Sequence, residues 1–332
     1  VEMSILSSVG SIQRDKESLV EYEEISSTFN NFKSLRFKGA TPPKTINPAQ
    51  YRKLDNFSKL VSVVTAQALE DSGLNIKKLD TSKVGILFTT PSGPVEVVEG
   101  IEKQITTDGY AYVSASRFPF TVMNAAAGML SIMFKIKGPL SVISTNNGAI
   151  DGIQYAKEMM RNNQLEYVLL VSANQWIDMG FMCLEQFGYD STEYIGADYC
   201  SVQVLSCQPT EKHPIILGSK QLKYKDKNLA EISSIFNQSF QQLLSELKLT
   251  PEDIKGCVWN ERKKMNSLNY EFLKQLYERY QIPNLGQNQF DFSSNGAGEE
   301  LDFIVNSNVS SGYYVAISYS KFGGISFAVI KK

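Results

Sequence analysis

The chain carries one histidine, His213, among 332 residues. Any mechanism built on a pair of imidazoles is closed to it. Its four cysteines, Cys183, Cys200, Cys207 and Cys257, lack the close spacing of a metal site and read as reduced, mostly buried thiols. The segment best suited to covalent chemistry has no nucleophile. Gly138-Pro139-Leu140-Ser141-Val142-Ile143-Ser144 reads as a buried strand, Thr145-Asn146-Asn147-Gly148 as a sharp turn, and the residues after it as a helix start. A thiol at a helix N-terminus is favoured as thiolate by the helix dipole and can accept an acyl group. Here the turn holds Asn146 and Asn147, and an amide is not a useful nucleophile near neutral pH. Both are expected to cap the helix, as asparagine does well. Cys200 is a thiol on a later strand that could approach the turn, although burial as a structural thiol is the expected reading.

The elements around this turn alternate between strand and helix patterns along the whole chain, which implies stacked α/β layers. In the stretch 54–72, Leu54, Phe57, Leu60, Val61, Val64, Ala68 and Leu69 recur at helical spacing and Gly73 ends the run. Val84–Phe88 is a short buried strand. A second amphipathic helix covers about 121–134, rich in Ala and Met. The strand at 140–145 and a helix over 148–162 follow, then strands at 167–171, 199–206 and 214–222. The second half repeats the order. A helix spans about 229–247, a helical turn begins at Pro251, and a strand runs over 254–259. A helix at 267–280, a strand near 286–290 and a helix from Asn295 to about Val305 come next. Strands at 313–318 and 325–330 close the chain. Asn147-Gly148-Ala149 has a counterpart in Asn295-Gly296-Ala297, each between a strand and a helix, which implies an internal duplication. Residues 35–52, with three prolines, read as an irregular surface excursion.

Composition excludes several function classes. Apolar residues make up 42% and charged residues 20%, with a net charge of −2, as in an ordinary soluble globular protein. No nucleic-acid surface is implied, and Arg262-Lys263-Lys264 is too short a basic run to change that. No apolar run reaches the roughly 20 residues that cross a bilayer, and no signal-peptide pattern is seen, so a cytoplasmic protein without membrane contact is expected.

Four pieces, in order, resemble the elongating β-ketoacyl synthases. They are Leu54-Asp55-Asn56-Phe57 through Leu69-Glu70-Asp71-Ser72-Gly73-Leu74; Phe118-Pro119 with Asn124-Ala125-Ala126-Ala127-Gly128; Lys137-Gly138-Pro139; and Ser320-Lys321-Phe322-Gly323-Gly324. The resemblance implies a thiolase-like α/β fold, with duplicated βαβαβαββ halves in a five-layer αβαβα sandwich. The halves would be residues 1–208, carrying the excursion, and 209–332. It also implies where the family's machinery falls. Asn147, or Asn146 if the shorter turn shifts the register, takes the place of the cysteine. Asn260 and Ser293 take the places of the two histidines, and Asn288 that of the lysine. No catalytic residue, metal or cofactor is then expected.

A chain with this scaffold and none of that chemistry resembles the chain length factor, the non-catalytic partner in type II polyketide or polyene ketosynthase heterodimers. The resemblance implies pairing with an active Cys-His-His ketosynthase, with acyl-carrier protein reached through that partner, and a share in walling the tunnel for the growing chain. The wall would come from the segment before the elbow strand, with Arg117, Phe118, Met123 and Met129 as the tunnel or interface residues. Arg117 stands where elongating enzymes often have an aromatic residue; it would narrow the tunnel or pair with an acidic group of the partner. The shortening relative to elongating synthases falls between Ala173 and Ile254, where that family carries its carrier-protein entrance. The alternative is a stand-alone degenerate acyltransferase or malonyl decarboxylase.

Overall fold

The computed structural model describes residues 2–12, 20–26, 32–178, 180, 195–224, 228–259, 277–286, 298–320 and 324–332. In chain order the first half contributes β1 (Met3–Gly10), β2 (Glu21–Ser26), β3 (Lys33–Gly39), α1 (Pro48–Tyr51), α2 (Asn56–Asp71), β4 (Val84–Thr90), α3 (Val95–Asp108), α4 (Ala125–Phe134), β5 (Leu140–Ser144), α5 (Gly148–Asn163), β6 (Tyr167–Asn174), β7 (Ile195–Ala197) and β8 (Tyr199–Ser206). The second contributes β9 (Ile215–Lys223), α6 (Leu229–Glu246), β10 (Ile254–Val258), α7 (Glu299–Asn306), β11 (Tyr313–Ser320) and β12 (Gly324–Lys331).

Nine strands form a continuous ladder in the order β10-β11-β12-β9-β1-β8-β6-β4-β5. Its centre is the short antiparallel pairing of β1 with β9, Met3 opposite Ile216 and Ser4 opposite Ile215. Outward from that pair the two sides repeat. β8 is antiparallel to both β1 and β6, and β12 is antiparallel to both β9 and β11. Beyond them, β6 runs parallel to β4 and β11 runs parallel to β10. The duplication inferred from the sequence is thus a repeat of strand order and direction.

The packing has five layers. α5 contacts β4 and β6 on one side and β9, β11 and β12 on the other, and α7 contacts β1, β10 and β11. These two helices are the middle layer. One hydrophobic core joins α2 and α4 to the first half-sheet, a second surrounds α5 and α7, and a third lies under α6. Each helix buries a stripe that its sequence spells out. In α5 the stripe is Ala149, Ile150, Ile153, Ala156, Met159 and Met160. Among the described residues no helix is long and apolar enough to cross a membrane.

Several elements were not legible. β1, MSILSSVG, carries serines that are buried rather than solvent-facing, because Ser7 bonds the Ala68 carbonyl and Ser8 bonds Asp302. The excursion at 35–52 is more regular than its prolines suggest. Its start is β3, which joins β2 and β7 in a three-stranded sheet, and its end is α1, capped by Asn47. The buried Asp198 carboxylate pins it by accepting from Arg36 Nε at 3.1 Å, the Phe37 amide at 3.0 Å and the Trp176 amide at 2.7 Å. Burial raises the pKa of this carboxyl despite the adjacent guanidinium. The expected helix at 267–280, apart from its last turn, and the expected strand near 286–290 lie largely outside the described residues.

Candidate functional site

The turn between β5 and α5 lies where the two halves meet. Thr145 leaves β5 with its amide on the Thr90 carbonyl at 3.1 Å, and Gly148 opens α5 at φ +47°. Between them Asn147 is buried, with φ −104° and ψ 7°. That is not the extended backbone from which a cap residue folds back onto its helix, and its side chain makes no capping bond. The expected capping role is therefore not what the structure shows for Asn147. Its Nδ2 points across to the second half, 3.4 Å from Ser326 Oγ on β12, while its Oδ1 is buried without a partner among the described residues. Asn146, one residue earlier, is half-buried.

The groups that organise the turn are ones the sequence reading passed over. Asp151, in the first turn of α5, accepts short hydrogen bonds from the hydroxyls of Thr145 and Ser326. Thr145 Oγ1 in turn accepts from the Asn147 amide at 3.1 Å. The Asp151 carbonyl accepts from Gln221 on β9 at 2.7 Å. The positive end of the α5 dipole, which would favour a thiolate at the turn, thus already faces a carboxylate of its own chain. The available signal was an acid four residues after Asn147, in the first helical turn.

Among the described residues no thiol comes near. Cys200 packs in the outer core under α2, whereas the next residue on β8, Ser201, faces the head of α7 and Ala149. Successive strand residues face opposite sides of a sheet, so the Cys200 thiol is on the wrong face, and burial pushes its pKa up. Cys257 is also buried and pushed up to about 12. His213 is in the turn before β9, at the opposite end of that strand from Gln221, about 25 Å away at strand rise. Cys183, and Asn260, Ser293 and Asn288 at the positions matched to the histidines and lysine, lie outside the described residues. Among the described residues no group of His, Cys, Asp and Glu could hold a metal.

A cavity of about 740 Å³ opens between the α1–α2 junction, α3 and α4. Its apolar lining includes Leu54, Val97, Phe120, Met129, Ile132 and Met133, with Arg117 among its polar members. Of the four residues expected at a tunnel or interface, Arg117 and Met129 border this cavity. Phe118 instead stands 64% exposed on the surface, and Met123 packs under Gly93. Phe120 and Met133 also line the cavity. α4 also packs along β5, the outermost strand, which has β4 on one side and no strand on the other among the described residues.

Comparison with known proteins accounts for this architecture. Residues 8–197 match the family described as Beta-ketoacyl synthase, N-terminal domain. The 3-oxoacyl-[acyl-carrier-protein] synthase 2 of Vibrio cholerae is 33% identical over 136 residues, 39% of this chain and 32% of the relative. That of Coxiella burnetii is 27% identical over 129 residues, 39% of this chain and 31% of the relative. These matches span about a third of the length of either relative. Among solved structures, the ishigamide ketosynthase/chain length factor superposes with a TM-score of 0.77 at 13% identity, covering 100% of this chain and 99% of that one. A ketosynthase in complex with its chain length factor from Xenorhabdus doucetiae gives 0.74 at 9% identity, covering 99% and 97%. A type II PKS acyl-carrier protein in complex with its ketosynthase gives 0.69 at 16% identity, covering 99% of each. The fold is the thiolase-like one of the ketosynthases. With more than half of its length matched to the family, this chain belongs to the β-ketoacyl synthases.

Proposed function

We propose that the chain is a non-catalytic, chain-length-factor-like subunit that pairs with an active Cys-His-His ketosynthase in the cytoplasm. It would wall part of the tunnel in which a polyketide or polyene chain grows on acyl-carrier protein. The observation that carries this reading is the elbow. Where the family's nucleophile would stand there is a buried asparagine, and the helix N-terminus behind it is occupied by Asp151. Loss of general acid–base help alone costs roughly 10² to 10⁴ in rate, and Asn260 and Ser293 at the matched histidine positions would remove it. The stand-alone acyltransferase reading gains no support from Cys200, which faces the other side of the sheet.

The pairing surface has its own support. β5 offers an open sheet edge, which natural proteins leave long and bare only when something covers it. Six of the nine large apolar side chains exposed among the described residues, Val98, Tyr110, Tyr112, Phe118, Val122 and Ile132, come from the segment 98–132, whose closing helix α4 packs along β5. Such clustering marks an interaction surface rather than scattered exposure. The cavity bordered by Met129, Met133 and Phe120 opens within the same segment and would supply the tunnel wall.

The test is co-expression with an intact Cys-His-His ketosynthase of the same organism, followed by size exclusion with light scattering and a condensation assay on malonyl-carrier protein. A 1:1 complex whose condensation requires both chains is expected. A stable homodimer that ignores the ketosynthase would overturn the proposal.

A further inference from the structure

α3 is a weakly seated wall of the cavity. Of its fourteen residues only Val97 and Ile101 are buried, and among the described elements its main packing partner is the short turn Tyr110–Tyr112 that follows it. It is entered through Gly93 at φ +71° and left through Gly109 at φ +90°, backbone that glycine adopts readily and other residues do not. Pro94, in the cap position, offers no side-chain bond to the first turn. The missing cap comes from another element. Gln175, buried directly after β6, accepts the Glu96 amide on Oε1 at 3.2 Å and donates from Nε2 to the Glu96 carboxylate at 2.6 Å. This reciprocal pair does across 79 residues what a capping box does within one turn. Asn56, the first residue of α2, donates to the other carboxylate oxygen at 3.1 Å. Arg36 Nη2 stands 3.9 Å away, with its Nε on the buried Asp198. Three separate elements thus converge on one carboxylate, and Glu96, Val97 and Asn56 all border the cavity.

We infer that Glu96 is the positioning residue of this cavity: its carboxylate, clamped by Gln175 and Asn56, latches α3 in place and so sets the width of the space between α3 and α4. The inference rests on the reading of the cavity as tunnel wall given above and adds what fixes its dimensions. A helix of this length is marginal in water without tertiary packing. Released from the latch, α3 therefore leaves the fold as a local opening unit and does not swing as a rigid rod. Both amide bonds of the latch go to carboxylate oxygens, and such bonds are roughly twice as strong as those between neutral groups. The opposite wall is different in kind. α4 buries Ala126, Ala127, Leu130 and Phe134 and packs on α2, β4 and β5. One wall is thus fixed by core packing and the other by a single carboxylate. A chain growing past Met129 and Met133 meets a boundary whose position depends on Glu96. Glu96 acts on chain length through α3, and not by contact with the reacting end of the chain.

The experiment is hydrogen exchange on the full chain, read by mass spectrometry, for wild type, Glu96→Ala, Gln175→Ala, the double variant and Glu99→Ala. In wild type the amides of α3 should exchange faster than those of α2 and α5. Glu96→Ala should accelerate exchange over 95–108 roughly tenfold to a hundredfold and leave α2 and α5 unchanged. Gln175→Ala should do the same, and the double variant no more than either single one, because members of one clamp are not additive. Glu99→Ala is the control. Its carboxylate pairs with Lys103 on the same helix, so exchange should stay within about threefold of wild type. In a complex with an intact Cys-His-His ketosynthase of the same organism, Glu96→Ala should broaden the products towards longer chains, a shift that lost stability alone does not produce. Equal exchange of α3 in wild type and Glu96→Ala overturns the latch, as does an acceleration shared by α2 and α5. A loosened α3 with an unchanged product profile overturns its role in setting the cavity. Failure of the wild-type chain to pair overturns the subunit reading and leaves the latch to be judged by exchange, which needs no partner.

Discussion

Gly298, at the head of α7, packs on Ala149, at the head of α5. A Cβ on Gly298 would stand 2.9 Å from that of Ala149 and 3.1 Å from Ser201 Oγ, and Gly298 holds φ at +94°. The two helices of the middle layer therefore meet head to head at the junction of the halves, next to the turn that holds Asn147.

That contact predicts an intolerant position. Gly298→Ala combines a backbone conformation that disfavours a side chain with a core contact that cannot give way, and should cost about 2–4 kcal/mol. Gly128→Ala in α4, where an added Cβ meets nothing within 4 Å, should be neutral or gain about 0.5–1 kcal/mol. Urea unfolding of both variants checks the contrast; equal midpoints would refute it.

Asp302 gives the fold a pH dependence of unusual sign. Burial pushes its carboxyl up to about 6 from an ordinary value of 3.8, although Ser8, Ser201, Tyr199 and Gln203 hydrogen-bond to it and pull the other way. Its folded pKa exceeds its unfolded one, so the folded state holds the extra proton. The contribution of Asp302 is fully present below about pH 4, and is lost as pH rises through about 6, by roughly 3 kcal/mol. The difference in unfolding free energy between wild type and Asp302→Asn should therefore change between pH 4 and 6 and be flat from pH 7 to 8. A difference that does not vary with pH would show that folding leaves the Asp302 pKa unchanged.

Restoring the thiol should not restore chemistry. In Asn147→Cys the new side chain is buried and shares Ser326 with the Asp151 carboxylate, and both effects disfavour a thiolate. Its pKa should lie at or above the ordinary value of about 8.5, read from the pH dependence of alkylation under conditions that keep the chain folded. A thiol that alkylates rapidly at pH 6 would mean that the helix dipole prevails over Asp151.

The cavity wall makes a prediction for the reconstituted complex. Met129→Trp adds a larger, rigid side chain to a space of about 740 Å³ and should shorten the products formed with the partner ketosynthase. The same substitution at Met123, which packs under Gly93 outside the cavity lining, should leave product length unchanged. Chromatography of the released chains distinguishes the two.

The sequence by itself determined the layers and the residue types at the turn between β5 and α5. Period-3.6 stripes such as Leu60, Val64 and Ala68, and buried runs such as Val84–Phe88, mark elements whose partners must lie on one known side. Local pattern carries that information because each such residue has to leave water. That the turn after β5 holds asparagines and no thiol is likewise a matter of residue type. What only the tertiary structure decided depends on long-range company. β1 was invisible because its serines are satisfied by Ala68 and Asp302, 61 and 294 residues away. Asp151 drew no notice in the sequence because a hydroxyl that binds it, that of Ser326, lies 175 residues on. The cavity is lined by Phe120 and Met133 and not by Phe118 or Met123 because a short helical turn at Phe118–Phe120 sets which side chains face inward. Spacing along the chain does not encode that rotation; the packing of this turn against α4 does.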